Sequence, residues 1–489
     1  VAGSQQRLPI LEAIRDYVGV RRLHMPGHKG GGAVAAPYLE YLGRRLFEAD
    51  VVSAEGLDDL HSPSGCIAEA QRLAAEAWGA DHSFFLVNGT SCGLHALILA
   101  LCRPGDKLIV PRNAHRSVVG GLILSGAYPV YLEPDFDRSF GLPLGMAPEA
   151  VAGALSLHPD AKGVLVVSPT YHGALSDIRK IAEITHSYGL PLLVDEAHGA
   201  HLGFHPELPD SALSQGADGV AQGIHKTAGS LTQTSILHLK GTRVPVDRVR
   251  AVLRLLQTTS PSYILMSSLD AARYLLVNHG RDLLDGVLSL SRRVTGAVEA
   301  LGAVRCLHVH AAGGPAGFDP TRITVNVSRA GLTGLEVERA LRREFGLQVE
   351  LSDFANVVLL LSLGDSPEAV EAFLAGLERI AAESSAGRRG SPSAPRSAGR
   401  ALLPPTPPTV LSPAVAFRGR TRRVPLDRAV GCVSAEMIAA YPPGIPAIYP
   451  GERVTEEVVA YLGEAKRAGM HLQGHQSPGL DFLEVIDQD

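Results

Sequence analysis

Two residues in this chain have the types and placing for covalent chemistry. Lys226 sits in Gln222-Gly223-Ile224-His225-Lys226-Thr227, and upstream lies Val194-Asp195-Glu196-Ala197-His198. Each segment follows a short apolar run of strand length. An acid therefore ends one strand, and an amine occupies the polar turn after the next. That arrangement suits pyridoxal phosphate (PLP). The lysine amine would bind the cofactor aldehyde as a Schiff base. The carboxylate would keep the pyridine nitrogen protonated, so that the ring accepts electrons. A buried carboxylate at a strand end needs a cationic partner. A structural Arg or Lys is the alternative to a pyridinium.

Other segments supply what such a cofactor needs. Asn88-Gly89-Thr90-Ser91-Cys92-Gly93 lies between a predicted strand and a predicted helix. Glycines allow a tight turn, and the Thr90 and Ser91 hydroxyls join helix N-terminal amides in a phosphate cradle. An ordinary helix N-cap is the other reading. Pro111-Arg112-Asn113-Ala114-His115-Arg116-Ser117 follows the next strand. His115 there is placed to pack on a cofactor ring and offer a proton, against a plain surface-loop histidine. Ser168-Pro169-Thr170-Tyr171-His172-Gly173 ends another strand, where its hydroxyls or His172 would touch the cofactor's phenolic oxygen or the substrate, against plain turn packing. His198 is a candidate for the ring oxygen or the substrate carboxylate, against a packed core histidine. His225 is a candidate for placing the phosphate. The hydroxyl-rich loops 229–235 and 258–262 are further phosphate candidates, including for a neighbouring subunit.

The elements that must position these residues follow from periodicity. From about 66 to 270 helices and strands alternate. Strands are expected at Ser83–Val87, Lys107–Val110, Pro129–Leu132, Gly163–Val167, Pro191–Val194, Gly219–Gly223 and Ser235–Leu239. Helices are expected at Ile67–Trp78, Gly93–Leu101 and Asp177–Tyr188. This alternation implies an α/β fold with a mostly parallel sheet, whose ligands bind at the strands' carboxyl ends. Residues 1–45 read as an N-terminal arm, 46–270 as the large cofactor-binding domain and 271–383 as a small α/β domain. Residues 384–424 are rich in Ser, Pro, Gly and Ala, with Arg but no Asp, Glu or Lys, and read as a flexible basic linker or an anion-binding tail. Residues 425–489 read as a C-terminal α+β domain.

Composition limits the partners. The chain has 489 residues, 45% hydrophobic and 19% charged, with net charge −5. This gives no case for nucleic acid. No apolar run reaches membrane-spanning length. Five cysteines without metal-ligand or redox spacing fit a reducing cytoplasm and no metal site.

Taken in order, the motifs resemble the Orn/Lys/Arg decarboxylases, PLP enzymes of the aspartate-aminotransferase-like fold (fold type I). The resemblance runs from Pro26-Gly27-His28-Lys29 to the C-terminus. It includes Gly56-Leu57-Asp58-Asp59-Leu60, Asn88-Gly89-Thr90-Ser91, Arg112–Ser117, Asp195–His201, His225-Lys226, Thr259–Tyr263 and Tyr441-Pro442-Pro443-Gly444-Ile445-Pro446. It implies Schiff-base Lys226, pyridinium partner Asp195, ring-stacking His115 and phosphate contacts from Thr90 and Ser91. Decarboxylation of a basic amino acid is then expected, giving agmatine, cadaverine or putrescine, with arginine or lysine favoured over ornithine. Candidates for the substrate's distal cation are Asp58, Asp59 and Glu452, each against a solvated acid. Two features depart from the family. Its members commonly carry a Ser-Thr pair where Gly223-Ile224 stand, so a phosphate-binding hydroxyl is missing and cofactor affinity falls unless other hydroxyl loops compensate. The chain also looks like the shorter, wingless type, without the response-regulator-like wing of the long members. A homodimer or larger homo-oligomer is expected. The competing readings are an aminotransferase, a β-eliminating lyase or a catalytically silent regulatory homologue.

Overall fold

The computed structural model describes residues 4–311, 316–388, 404–441, 445–467 and 469–487. Eighteen strands occur among them. β1 (His82–Leu86), β2 (Lys107–Pro111), β3 (Tyr128–Leu132), β6 (Val164–Val167), β7 (Leu192–Asp195), β8 (Gly219–Gln222) and β9 (Ser235–Leu239) form one sheet, in the order β1-β9-β8-β7-β6-β2-β3. β2 runs parallel to both β3 and β6, whereas β9 runs antiparallel to β8 and β1. Every residue of β7, β8 and β9 is buried. Strands covered on both faces have no solvent side, so they read as continuous apolar runs rather than alternating ones. β4 (Phe136–Asp137) and β5 (Leu142–Pro143) make a small hairpin.

The crossover helices show why their sequences fold as they do. Ile178–Ser187 buries Ile178, Ile181, Ala182 and Thr185, a single stripe at helical spacing, and Asp177 caps it by accepting the Lys180 amide at 3.0 Å. Helix Gly89–Leu101 begins four residues before the expected start, so Gly89, Thr90 and Ser91 form its first turn rather than a loop ahead of it.

The chain divides into two compact units. One contains residues 1–100 and 194–285, the other 101–193 and 286–489. This partition differs from the consecutive domains expected, because the chain leaves and re-enters each unit. The second unit includes a four-stranded antiparallel sheet, ordered β10 (Arg305–Cys306), β11 (Arg322–Asn326), β13 (Asn356–Leu360) and β12 (Leu351–Ser352). Helix Gly334–Phe345 of this unit starts with a capping box between Thr333 and Glu336.

The C-terminal part contains β14 (Thr421–Pro425) paired with β18 (Phe482–Ile486), and β15 (Ile438–Tyr441) between β16 (Pro446–Ile448) and β17 (His471–Gln473). Helix Glu456–Arg467 packs its Val458, Leu462 and Ala465 into the same core. The expected linker therefore needs correction at its distal end. Helix Pro413–Arg418 and β14 are ordered, and Val424 is buried among Ile438, Leu483 and Val485. Residues 389–403 of that segment, and Pro442, Pro443 and Gly444 of the C-terminal motif, lie outside the described residues. Among the described residues no helix is long and apolar enough to cross a membrane.

Candidate active site

In the first unit, β7 delivers Asp195 at its carboxyl end and the turn after β8 delivers Lys226. Asp195 is 4% exposed. It accepts one hydrogen bond among the described residues, from the Ala197 amide at 3.2 Å. Burial pushes its carboxyl above the usual range, while Lys226 and the Ala197 amide pull it back only in part. Lys226 Nζ lies 2.8 Å from His198 Nε2, so His198, itself 7% exposed, stands against the amine.

The phosphate candidates come to the same spot. Gly223 is buried between them: a Cβ there would stand 3.2 Å from Lys226 Cδ, 3.2 Å from Thr90 Oγ1 and 2.7 Å from the Ala197 carbonyl oxygen. The Thr90 hydroxyl is 2.7 Å from Ser235 Oγ, at the start of β9. Gly89 takes φ +77°, a left-handed conformation that lets the chain turn sharply into the helix bearing Thr90 and Ser91. Asn88, just before that turn, accepts the Thr258 amide at 3.3 Å. His225 Nδ1 is 2.7 Å from the Thr234 carbonyl oxygen and so donates to it. Burial lowers the His225 pKa, and neighbouring Lys226 lowers it further.

A fully buried polar chain lies behind this site and was not found by sequence reasoning. Ser83 Oγ is 2.7 Å from His238 Nδ1, His238 Nε2 is 3.2 Å from Gln222 Oε1, and Gln222 Nε2 donates to Glu196 Oε2 at 2.7 Å. Burial pushes Glu196 up to about 8, against the pull of the Gln222 and Ala212 N–H donors. Glu196 and Gln222 are each one residue from a site position, Asp195 and Gly223. That adjacency was the available signal, but nothing local pairs the two residues.

His115 belongs to the second unit. It is exposed and caps helix Arg116–Ser125, its Nδ1 accepting the Ser117 amide at 3.3 Å and lying 2.8 Å from Ser117 Oγ. Accepting through Nδ1 puts the ring proton on Nε2. His172, a candidate for the cofactor's phenolic oxygen or the substrate, is 1% exposed, and burial holds it down to about 4.

The structure gives other partners to two of the acids proposed for the substrate's cation. Asp58 is spent on the backbone. Its Oδ1 accepts the amides of Asp59 (2.8 Å) and Ser64 (3.0 Å), and its Oδ2 those of Gly65 (2.8 Å), Ile67 (2.9 Å) and Ala68 (3.2 Å). Burial alone would raise this carboxyl, yet the amide donors hold it below its ordinary value. Asp58 thus staples the start of helix Cys66–Trp78. Glu452 is fully buried, with both oxygens paired to Arg112. A substrate cation would have to displace that pair. Asp59 is exposed, and one of its oxygens accepts the His61 amide at 2.9 Å. One group of possible metal ligands occurs among the described residues, His205, Glu207 and Asp285, in which His205 Nε2 lies 3.0 Å from Asp285.

The family model "Orn/Lys/Arg decarboxylase, major domain" matches residues 8–316, and "Orn/Lys/Arg decarboxylase, C-terminal domain" matches residues 402–480. The chain belongs to the Orn/Lys/Arg decarboxylase family. An arginine decarboxylase of Bacillus subtilis strain 168 is 40% identical over 99% of each chain. An arginine decarboxylase of Halalkalibacterium halodurans is 41% identical, over 96% of this chain and 94% of that one. Among solved structures, lysine decarboxylase A from Pseudomonas aeruginosa superposes with a TM-score of 0.83 at 24% identity, covering 99% of this chain and 81% of that one. The fold is therefore that of the type I PLP enzymes, and the expected decarboxylase of basic amino acids stands.

Proposed function

We propose that this family member decarboxylates L-arginine to agmatine and carbon dioxide, with lysine the next substrate and ornithine the poorest. The observation that carries the reading is Lys226 and Asp195 sharing one buried site, in a chain 40% identical over 99% of its length to an arginine decarboxylase.

The residues present fit pyridoxal phosphate. Lys226 is the amine for its aldehyde. Asp195, buried with a thin donor set, suits a cationic ring nitrogen. Thr90 and Ser91, in the first turn of a helix, suit the phosphate, and the Ser235 hydroxyl orients Thr90. When bound, the cofactor supplies a sink for the electron pair left at Cα as the carboxylate departs. The protein's part is to hold and to move protons. Asp195 keeps the ring nitrogen protonated. His198, beside Lys226 Nζ, would take a proton from that amine or return one to it. Lys226, or the Nε2–H of His115, would return a proton to Cα after the Cα–carboxylate bond breaks. His115 would also be the residue that faces the ring. A homo-oligomer, at least a dimer, completes this proposal.

Arginine, lysine and ornithine assayed side by side, with carbon dioxide and amine products identified, test the reading. Equimolar carbon dioxide and agmatine, with the highest kcat/KM for arginine, is expected. Keto-acid production without carbon dioxide would place the chain with the aminotransferases instead.

A further inference from the structure

Arg112 follows β2 by one residue, in the turn that ends at His115. It is fixed at three points, all within the second unit. Its amide donates to the Leu132 carbonyl at 2.7 Å. Its own carbonyl accepts the Tyr449 hydroxyl at 3.0 Å. Its guanidinium, 6% exposed, makes a two-pronged pair with Glu452, Nη1 to Oε1 and Nη2 to Oε2, the latter at 3.0 Å. The guanidinium carbon also sits 4.2 Å from the Tyr449 ring centre and 5.2 Å from that of Tyr131, and those two rings stack at 5.0 Å. Glu452 is itself held, since its Oε2 accepts the Tyr449 amide at 2.8 Å.

Such a pair is an expensive way to make a core. Two charges are taken out of water, and apolar residues of similar volume often stabilise a fold as well or better. What apolar packing lacks is direction. A bidentate guanidinium–carboxylate pair fixes a plane and an angle, and here it fixes the root of a short turn. From Arg112 the path to His115 is Asn113 and Ala114, with the Ala114 amide bonded back to Pro111 at 3.1 Å. The turn has little slack, so the orientation of residue 112 passes to the helix cap.

We infer that the C-terminal segment Ala447–Glu452 positions His115, acting through Arg112. Arg112, Tyr449 and Glu452 are positioning residues that set the tilt of an imidazole they do not touch. This assigns the C-terminal domain a part in the chemistry, and it rests on the reading of His115 as the ring-facing residue.

The full-length protein tests it with three variants. R112M/E452L replaces the pair by apolar side chains and leaves no orphaned charge. Y449F removes only the hydroxyl that holds the Arg112 carbonyl. H115A removes the residue being positioned. Hydrogen exchange of the amides of 114–118, read by mass spectrometry on cofactor-free protein, reports the turn itself. Circular dichroism at the visible band of the bound cofactor reports its surroundings. R112M/E452L should melt within a few degrees of the parent, while those amides exchange about 10-fold faster or more. The cofactor signal should change, and kcat should fall about 10-fold with KM moving less than about threefold. Y449F should move every readout the same way by less, and it decides the matter if the double variant does not fold. Parental exchange of 114–118 together with a parental cofactor signal would overturn the inference. H115A separates the two layers: parental turnover and cofactor signal in that variant would sink the role of His115, while the exchange data still decide whether Arg112 holds the turn.

Discussion

Gly223 is where the likeness to the family and the local geometry predict opposite results, so Gly223→Ser is the most informative substitution. A family-like serine would restore a hydroxyl for the phosphate and tighten cofactor binding. The geometry predicts the reverse. A Cβ at 223 would stand 2.7 Å from the Ala197 carbonyl oxygen, a backbone atom that cannot swing away. The Gly223 amide donates to that same oxygen at 3.2 Å, so parting the two strips a bond from the segment that joins Asp195 to His198. The other two close atoms, Lys226 Cδ and Thr90 Oγ1, both at 3.2 Å, belong to the site itself. Overpacking of this kind costs about 1–3 kcal/mol. Expressed wholly in cofactor binding, that is roughly a 5- to 150-fold loss of affinity. The assay is titration of cofactor-free protein with pyridoxal phosphate, followed by its visible absorbance, with the melting temperature measured alongside. A variant that binds the cofactor more tightly and melts with the parent would refute the steric argument. It would mean that the missing hydroxyl, not the space, limits affinity.

Further outcomes follow from the same geometry. Lys226→Ala should abolish both turnover and the visible absorbance of lysine-bound cofactor; full activity would remove Lys226 from the site. Asp195→Asn should keep the fold and lower kcat on the order of 100-fold or more, because a neutral amide cannot hold a proton on the ring nitrogen; a kcat within about threefold of the parent would contradict that role. Asp58→Ala should cost about 2–4 kcal/mol in urea unfolding, since five amides lose their acceptor. It should leave KM for the amino acid unchanged, whereas a substrate-binding acid would do the opposite. Burial keeps His172 neutral down to about 4, against an ordinary 6.5. Between those values the unfolded chain binds a proton that the native chain refuses. The stability from this group is therefore complete above pH 6.5 and is lost as pH falls towards about 4. His172→Gln should flatten the fall of melting temperature across that window, and an equally steep fall would show that other groups drive acid unfolding.

Much of the fold was legible because its signals are local. The runs that became β6, β7 and β8 are short and apolar, and a strand covered on both faces needs nothing more. Helix Ile178–Ser187 announces itself by a stripe and a capping Asp177. The errors came where distant chain decides the outcome. Thr421–Val424 looks like linker by composition. It becomes a strand because Phe482–Ile486 pairs with it residue for residue. Arg112 looks like one of many exposed arginines until Glu452, 340 positions away, meets it. The motif around Asn88 and the loop 229–235 each pointed to a phosphate, but nothing local pairs Ser235 with Thr90, 145 positions away.

The acids show how the candidate site separates from the residues around it. Asp58, Asp195 and Glu452 are all buried carboxylates in motif-like segments, so residue type and burial do not rank them. Their donors do. Asp58 is satisfied by amides within ten residues of itself. Glu452 is satisfied by a guanidinium and the Tyr449 amide. Asp195 has one amide and the field of Lys226. Burial holds both its carboxyl and that of Glu452 above the ordinary range, so the donors and not the direction of the shift separate the two. A carboxylate in that condition is stabilised by any cation delivered to it, and the increment is greatest where least is already supplied. A protonated pyridine nitrogen is such a cation. Binding it would lower the Asp195 pKa as it raises that of the ring nitrogen, because the coupling between the two titrations is mutual. The same reciprocity makes the site selective: Asp195→Asn should cost far more in the pyridinium's retention of its proton than in protein stability, whereas Glu452→Gln, which breaks a buried pair already made, should show the opposite balance.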